Sequence, residues 1–135
     1  AGQTSAEVVS AITAGEKSIL VIQNDPALAE SITRTLTTEG FEVLACAHSD
    51  RAQLMAPQAQ AILCDFRLDA GDGAEIITTL RQGGFRRPVI MMSEDRTRAV
   101  VNKCIKAGIT DFLPKPFTAE ALLEKIGKHL ASGFA

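Results

Sequence analysis

The sequence contains no tryptophan and no tyrosine, and six phenylalanines make up its entire 4% aromatic content. So few rings offer little for stacking on a flavin or another flat ligand. Cysteine is also scarce: Cys46, Cys64 and Cys104 stand far apart in the chain. An odd, sparse count argues against a disulfide framework and for the reduced thiols of a cytoplasmic protein. The two histidines, His48 and His129, do not join them at zinc-ligand spacing, so all five residues read as structural or surface positions. Unbroken apolar runs reach only about five residues, far short of the roughly 20 that a membrane-spanning helix needs. The first 17 residues hold no apolar stretch behind basic ones, so no secretory signal is visible. Neither sign of charge dominates: 14 Lys and Arg face 16 Asp and Glu, a net charge of −2. Nucleic acid and anionic membrane surfaces are therefore not indicated as partners.

The 135 residues are 46% apolar and 22% charged, the make-up of a single globular domain with one respectable core. Residues 1–17 are small and polar and read as a linker or short N-terminal helix. The domain proper covers 18–131, and 132–135 form a tail. Within the domain, short β-rich apolar runs alternate with helical patterns. Strands are expected at 18–23, 41–46, 60–64, 88–92 and 110–113. Helices are expected at 26–39, 49–56, 73–82, 95–107 and 118–131. In the first helix Leu28, Ile32 and Leu36 recur every fourth residue, behind an Asp25 N-cap and Pro26 and before Gly40.

Five strand–helix pairs in strict alternation imply a parallel sheet covered by helices on both faces. In such α/β sheets the chemistry sits outside the carboxyl ends of the strands. Gln23, Asn24 and Asp25 follow the first strand. The third ends at Asp65, in AILCDFRLDAGDG, and the fourth at Ser93, in VIMMSED. Lys115 follows the fifth, in DFLPKPF. A carboxylate, a hydroxyl and an ammonium thus converge on one crevice beside a pair of amides. No glycine-rich phosphate loop follows the first strand, which leaves a flavin or small-ligand protein of similar topology a weak alternative.

These four pieces, in this order and spacing, resemble the receiver domain of bacterial two-component response regulators over residues 18–130. The resemblance implies a doubly wound, flavodoxin-like sheet of order 2-1-3-4-5. It implies a signalling domain, not an enzyme, with Asp65 as phosphoacceptor. Lys115 and Ser93 would bind phosphoryl oxygens, Arg67 would offer its backbone carbonyl to magnesium, and Phe112, with Ser93, would occupy a switch position. It also implies a histidine kinase or phosphotransfer protein as donor. Output would pass through helix 4, strand 5 and helix 5 to a dimer partner or an effector domain. On helix 4, Val100 and Cys104 form one apolar stripe and Val101 and Ile105 another. One stripe can face the sheet, and Val101 or Ile105 is then expected to make a contact.

One departure stands out. Members of this family carry two acidic residues after the first strand as magnesium ligands, and Gln23 and Asn24 stand there instead. Counting carboxylates, the pocket falls from three to one, and each loss costs about tenfold in cation affinity. Magnesium binding is therefore expected to be weak or absent, with Asn24 a weak ligand beside Asp65 and Asp25 a possible one. Asp25 also reads fully as an N-cap, and Asp69 and Asp72 read as turn residues. Two functions remain: an inefficient phosphoacceptor, or a degenerate receiver that binds partners without phosphorylation. Seventeen residues precede the first strand and the chain does not begin with Met. That leaves open a free-standing receiver or part of a larger regulator or hybrid kinase.

Overall fold

A computed structural model of the protein describes residues 17–69 and 71–134. The linker or helix expected over 1–17 lies outside the described residues except for Lys17. The main sheet has five strands: β1 Ser18–Ile22, β2 Glu42–Cys46, β3 Ala61–Asp65, β4 Val89–Ser93 and β5 Asp111–Pro114. All are parallel, in the order β2-β1-β3-β4-β5, so the doubly wound 2-1-3-4-5 arrangement is present. The helices are α1 Pro26–Thr38, α2 Ser49–Met55, α3 Gly73–Gln82, α4 Arg98–Ala107 and α5 Ala119–Phe134, with one 3-10 turn at Ala56–Gln58.

The central strands are buried at every position, and apolar except for Ser18, Asp65 and Ser93 at their ends, because both faces are covered. Alternate residues point to opposite sides. Leu20, Ile22, Ile62, Cys64 and Met91 pack toward α2, α3 and α4, against Ala52, Ile77, Leu80 and Cys104. Ile19, Val21, Leu63, Ile90 and Met92 pack toward α1 and α5, against Ile32, Leu36, Leu122 and Ile126. Each large apolar side chain buried in this way contributes about 1.5–3 kcal/mol. β2 and β5 are the sheet edges and are half-buried apart from the exposed Glu42 and Ala45 and the buried Leu113. Pro114 ends β5, where a missing N–H is tolerated on an edge.

Three local results differ from expectation. α4 begins at Arg98, three residues later than residue 95. Ser93 Oγ accepts from the Asp95 N–H, and Asp95 Oδ1 accepts from the Thr97 N–H. These side-chain bonds hold 93–97 in a turn that competes with helix, and Thr97 then caps the Val100 N–H. Between β3 and α3 the chain forms a small antiparallel ladder, Arg67–Leu68 against Gly71–Asp72, where only a loop was foreseen. α5 also runs to Phe134, past residue 131.

Candidate functional site

Register brings the strand ends together. Ile22 pairs with Cys64, Asp65 with Met92, and Ser93 with Pro114. The residues at or just after these positions therefore crowd one edge of the sheet. Asp65 and Ser93 are each 4% exposed and Gln23 is 7% exposed. Lys115 is held over them because its backbone N–H donates to the Ser93 carbonyl at 2.8 Å. Together Asp65, Arg67, Ser93, Glu94 and Lys115 line a cavity of about 310 Å³.

Lys115 Nζ lies 2.7 Å from Asp65 Oδ1. The contact is a buried ion pair whose angles fall short of an aligned hydrogen bond. Burial pushes the Asp65 carboxyl above the usual carboxylate range. Lys115 and then the Gln23 amide pull it down, and Glu94 adds a small upward push. The net direction is upward, yet the adjacent ammonium supports the ionised form that a nucleophile needs.

The amide pair is oriented by the backbone. Gln23 Oε1 accepts from the Asp25 N–H at 3.0 Å. An N–H can only donate, so the oxygen must face Asp25 and Nε2 must point the other way. Nε2 is buried without an aligned hydrogen-bond partner, close enough to Asp65 to stabilise its charge. Asn24 Oδ1 accepts from the Asp69 N–H at 2.7 Å and ties the first loop to the third. Asp25 caps α1, accepting from the N–H groups of Ala27 and Leu28. Its side chain is exposed, in a neighbouring groove of about 660 Å³ that also reaches Lys115 and Glu94. Among the described residues, no group of three or more His, Cys, Asp or Glu side chains is placed to hold a metal ion.

Asp65, Ser93, Lys115 and Arg67 thus share one cavity, while Gln23, Asn24 and Asp25 are not among the side chains lining it. Ser93 Oγ is engaged with Asp95, donating to its carbonyl and accepting from its N–H, both at 3.0 Å. Phe112 is half-buried in the middle of β5 and packs on the core beneath α4, away from the cavity. Asp72 is more than a turn residue. It caps the Glu75 N–H in α3 and pairs with Lys103 of α4.

Two contributors escaped sequence reasoning. Glu94 lines the cavity, and its only signal was its place directly after Ser93. Gly73 matters for its missing side chain. A Cβ there would sit 2.3 Å from the Asp65 carbonyl oxygen and 2.8 Å from Cys64 Sγ. The first turn of α3 can approach the end of β3 only because residue 73 is glycine. The Asp-Gly pair after the third strand was the available signal.

A family model described as the response regulator receiver domain matches residues 19–127. The response regulator MprA of Mycolicibacterium vanbaalenii is 32% identical over 110 residues, 80% of this chain and 48% of MprA. The C4-dicarboxylate transport transcriptional regulatory protein DctD of Pseudomonas aeruginosa is 28% identical over 116 residues, 83% of this chain and 25% of DctD. The chain therefore spans half or less of the curated relatives it matches. Among solved structures, a CheY-like response regulator receiver domain protein from Methanospirillum hungatei superposes with a TM-score of 0.80 at 24% identity. The match covers 86% of this chain and 94% of that one, and it shows a shared fold. The receiver domain of the sensor histidine kinase PA1611 from Pseudomonas aeruginosa gives a TM-score of 0.77 at 26% identity, over 85% and 98% of the two chains. That structure carries a magnesium ion coordinated in its active site cleft.

Proposed function

The chain belongs to the response regulator receiver domains of two-component signalling, and we propose that its phosphoacceptor is Asp65. One observation carries this: a buried carboxylate opens onto a cavity that it shares with the Lys115 ammonium and the Ser93 hydroxyl. A carboxylate can take a phosphoryl group as an acyl phosphate. Phosphoryl transfer asks the protein mainly for position and charge stabilisation, and Lys115 offers the charge. The donor is a histidine kinase or a phosphotransfer protein, and the domain works as a cytoplasmic signalling module rather than an enzyme. No helix among the described residues is long and apolar enough to cross a membrane. Output passes through α4, β5 and α5, where Ile105 is 60% exposed while Cys104 is buried.

The residues present do not fit a magnesium ion well. Of the two carboxylates among the described residues that line the cavity, Asp65 is buried and already paired with Lys115, and Glu94 is exposed. The amide oxygens of Gln23 and Asn24 face backbone N–H groups, and Gln23 turns its NH₂ toward Asp65. A dication coordinated by Asp65 would meet donors where it needs oxygen lone pairs. No step is therefore routed through a metal.

The same feature favours a second reading, a receiver that binds its partner without phosphorylation. Incubation with acetyl phosphate, followed by intact mass, tests the choice. Phosphoacceptance requires one added phosphoryl group in the wild type and none in Asp65→Asn. If the wild type gains none with or without magnesium, and Asp65→Asn binds the native partner unchanged, the second reading stands.

A further inference from the structure

Resting on the reading of Asp65 as phosphoacceptor, we propose that Gln23 does the work of the divalent cation. Its buried Nε2–H₂ donates to the phosphoryl oxygens on Asp65, so that transfer proceeds without a metal ion.

The geometry leaves this amide one use. Gln23 is 93% buried by its 7% exposure. Its oxygen is committed to the Asp25 N–H, which fixes which way the amide points. Its nitrogen has no aligned partner and lies beside Asp65. Leaving a buried donor unsatisfied is costly, and such a group in a native site calls for an explanation. An acceptor group delivered to Asp65 supplies one. A phosphoryl group brings three strong acceptor oxygens and roughly −1.5 to −2 charge units. The Lys115 ammonium and the Gln23 amide both lie against Asp65, which would carry this group. A cation would be opposed by both, whereas an oxyanion is welcomed by both.

The step balances without a metal. A carboxylate oxygen of Asp65 attacks the phosphorus of acetyl phosphate. The bond from phosphorus to the acetate oxygen breaks, and acetate leaves with the electron pair. No proton moves, because Asp65 enters as the carboxylate that Lys115 supports. Lys115 and Gln23 then hold the charge that the transition state spreads over the phosphoryl oxygens.

The experiment measures phosphoryl uptake from acetyl phosphate by intact mass, in EDTA and in excess magnesium, for the wild type, Gln23→Glu and Gln23→Ala. Folding of each variant is checked by circular dichroism and urea melt. The wild type should take up phosphoryl in EDTA, with magnesium changing the rate by less than about twofold. Loss of one donor to a charged group should slow the metal-free reaction about 10- to 100-fold in both variants. Gln23→Glu, isosteric but carrying a carboxylate, should recover in magnesium, whereas Gln23→Ala should not. A magnesium titration followed by NMR gives a second readout: the Asp65 and Arg67 amides should hold still in the wild type and shift in Gln23→Glu. Wild-type uptake seen only with magnesium overturns the role of Gln23 and leaves Asp65 as acceptor. Metal-free uptake that survives intact in both variants does the same. No uptake under any condition overturns both readings.

Discussion

The ion pair between Lys115 and Asp65 lends itself to a sharp thermodynamic test. Replacing Lys115 with Met keeps most of the stem and removes the charge. In the native site the two charges are 2.7 Å apart, with side chains 15% and 5% exposed. At about 3 Å and an effective dielectric of about 20, the gross attraction is roughly 5–6 kcal/mol. Breaking a buried pair by removing one partner costs about 3–5 kcal/mol. The cavity beside Asp65 lets water reach part of the carboxylate, so the expected loss at pH 7 is about 2 kcal/mol.

The sign with pH follows from the carboxyl. Burial already places the folded pKa of Asp65 above its ordinary value, against the pull of Lys115 and Gln23. Removing Lys115 raises it further. A carboxyl raised on folding contributes its full stability below the unfolded value, about 3.9, and loses that stability as pH rises through the folded pKa. The deficit of Lys115→Met should therefore be largest at pH 7 and shrink toward pH 4.5. Urea unfolding of the wild type, Lys115→Met, Asp65→Asn and the double variant across that range would measure it. Asp65→Asn in the Lys115→Met background should recover most of the loss at pH 7, because no buried charge remains to be paired. A Lys115→Met protein within about 0.5 kcal/mol of wild type at pH 7, or a deficit independent of pH, would falsify this account of the pair.

Three further outcomes are expected. Gly73→Ala should destabilise by about 1–3 kcal/mol or more, since its Cβ would overlap the Asp65 carbonyl oxygen and Cys64 Sγ; a urea midpoint equal to that of wild type would show that α3 can shift freely. Asp111 sits between Lys125 Nζ at 3.0 Å and His129 Nε2 at 2.8 Å. Burial raises its pKa, but the bonds from His129, Lys125 and the Phe112 N–H outweigh that and bring it down to about 2. A lowered carboxyl stabilises the fold above its unfolded value and ceases to do so as pH falls through about 2. Asp111→Asn should thus lose about 1 kcal/mol at pH 7 and converge with wild type near pH 2, as equilibrium unfolding at the two pH values would show. Ile105→Lys should leave stability within about 0.5 kcal/mol, given 60% exposure, while weakening a dimer or partner contact. If sedimentation finds wild type and variant equally monomeric and partner affinity is unchanged, the contact face lies elsewhere.

The alternation of strands and helices and the position of the site were legible because both rest on coarse signals, whereas the strand order came from the family resemblance. Ile19–Ile22 and Val89–Met92 are apolar without interruption, which only strands covered on both faces tolerate. Leu122, Ile126 and Leu130 mark one helical stripe, and the stripe is buried as its period demands. Asp65, Ser93 and Lys115 were legible as neighbours because parallel strands deliver their carboxyl ends to one edge. The start of α4 was not legible to the residue. Asp95 and Thr97 both favour caps, and the contest was decided by Ser93, whose hydroxyl closes a turn on Asp95. The 67–72 ladder escaped for a related reason: two-residue strands carry no periodicity.

The direction in which Gln23 points lies beyond any sequence pattern. Gln-Asn in place of an acidic pair shows that two charges are gone, and charge alone predicts weaker cation binding. It does not say whether the amide oxygens still face the site. The backbone decides that. The Asp25 N–H sits just before α1 and needs an acceptor, and Gln23 Oε1 is the acceptor it finds. The Asp69 N–H in the loop after β3 likewise takes Asn24 Oδ1. Both bonds turn the amide oxygens toward backbone donors, and the Gln23 NH₂ is left facing Asp65. A pair of carboxylates would present lone pairs in every direction and could serve backbone and metal together. An amide has one acceptor end and one donor end, so meeting the backbone's demand with one commits the other. The substitution therefore does more than remove charge: it puts an N–H donor toward Asp65 where the acidic pair would have offered oxygen.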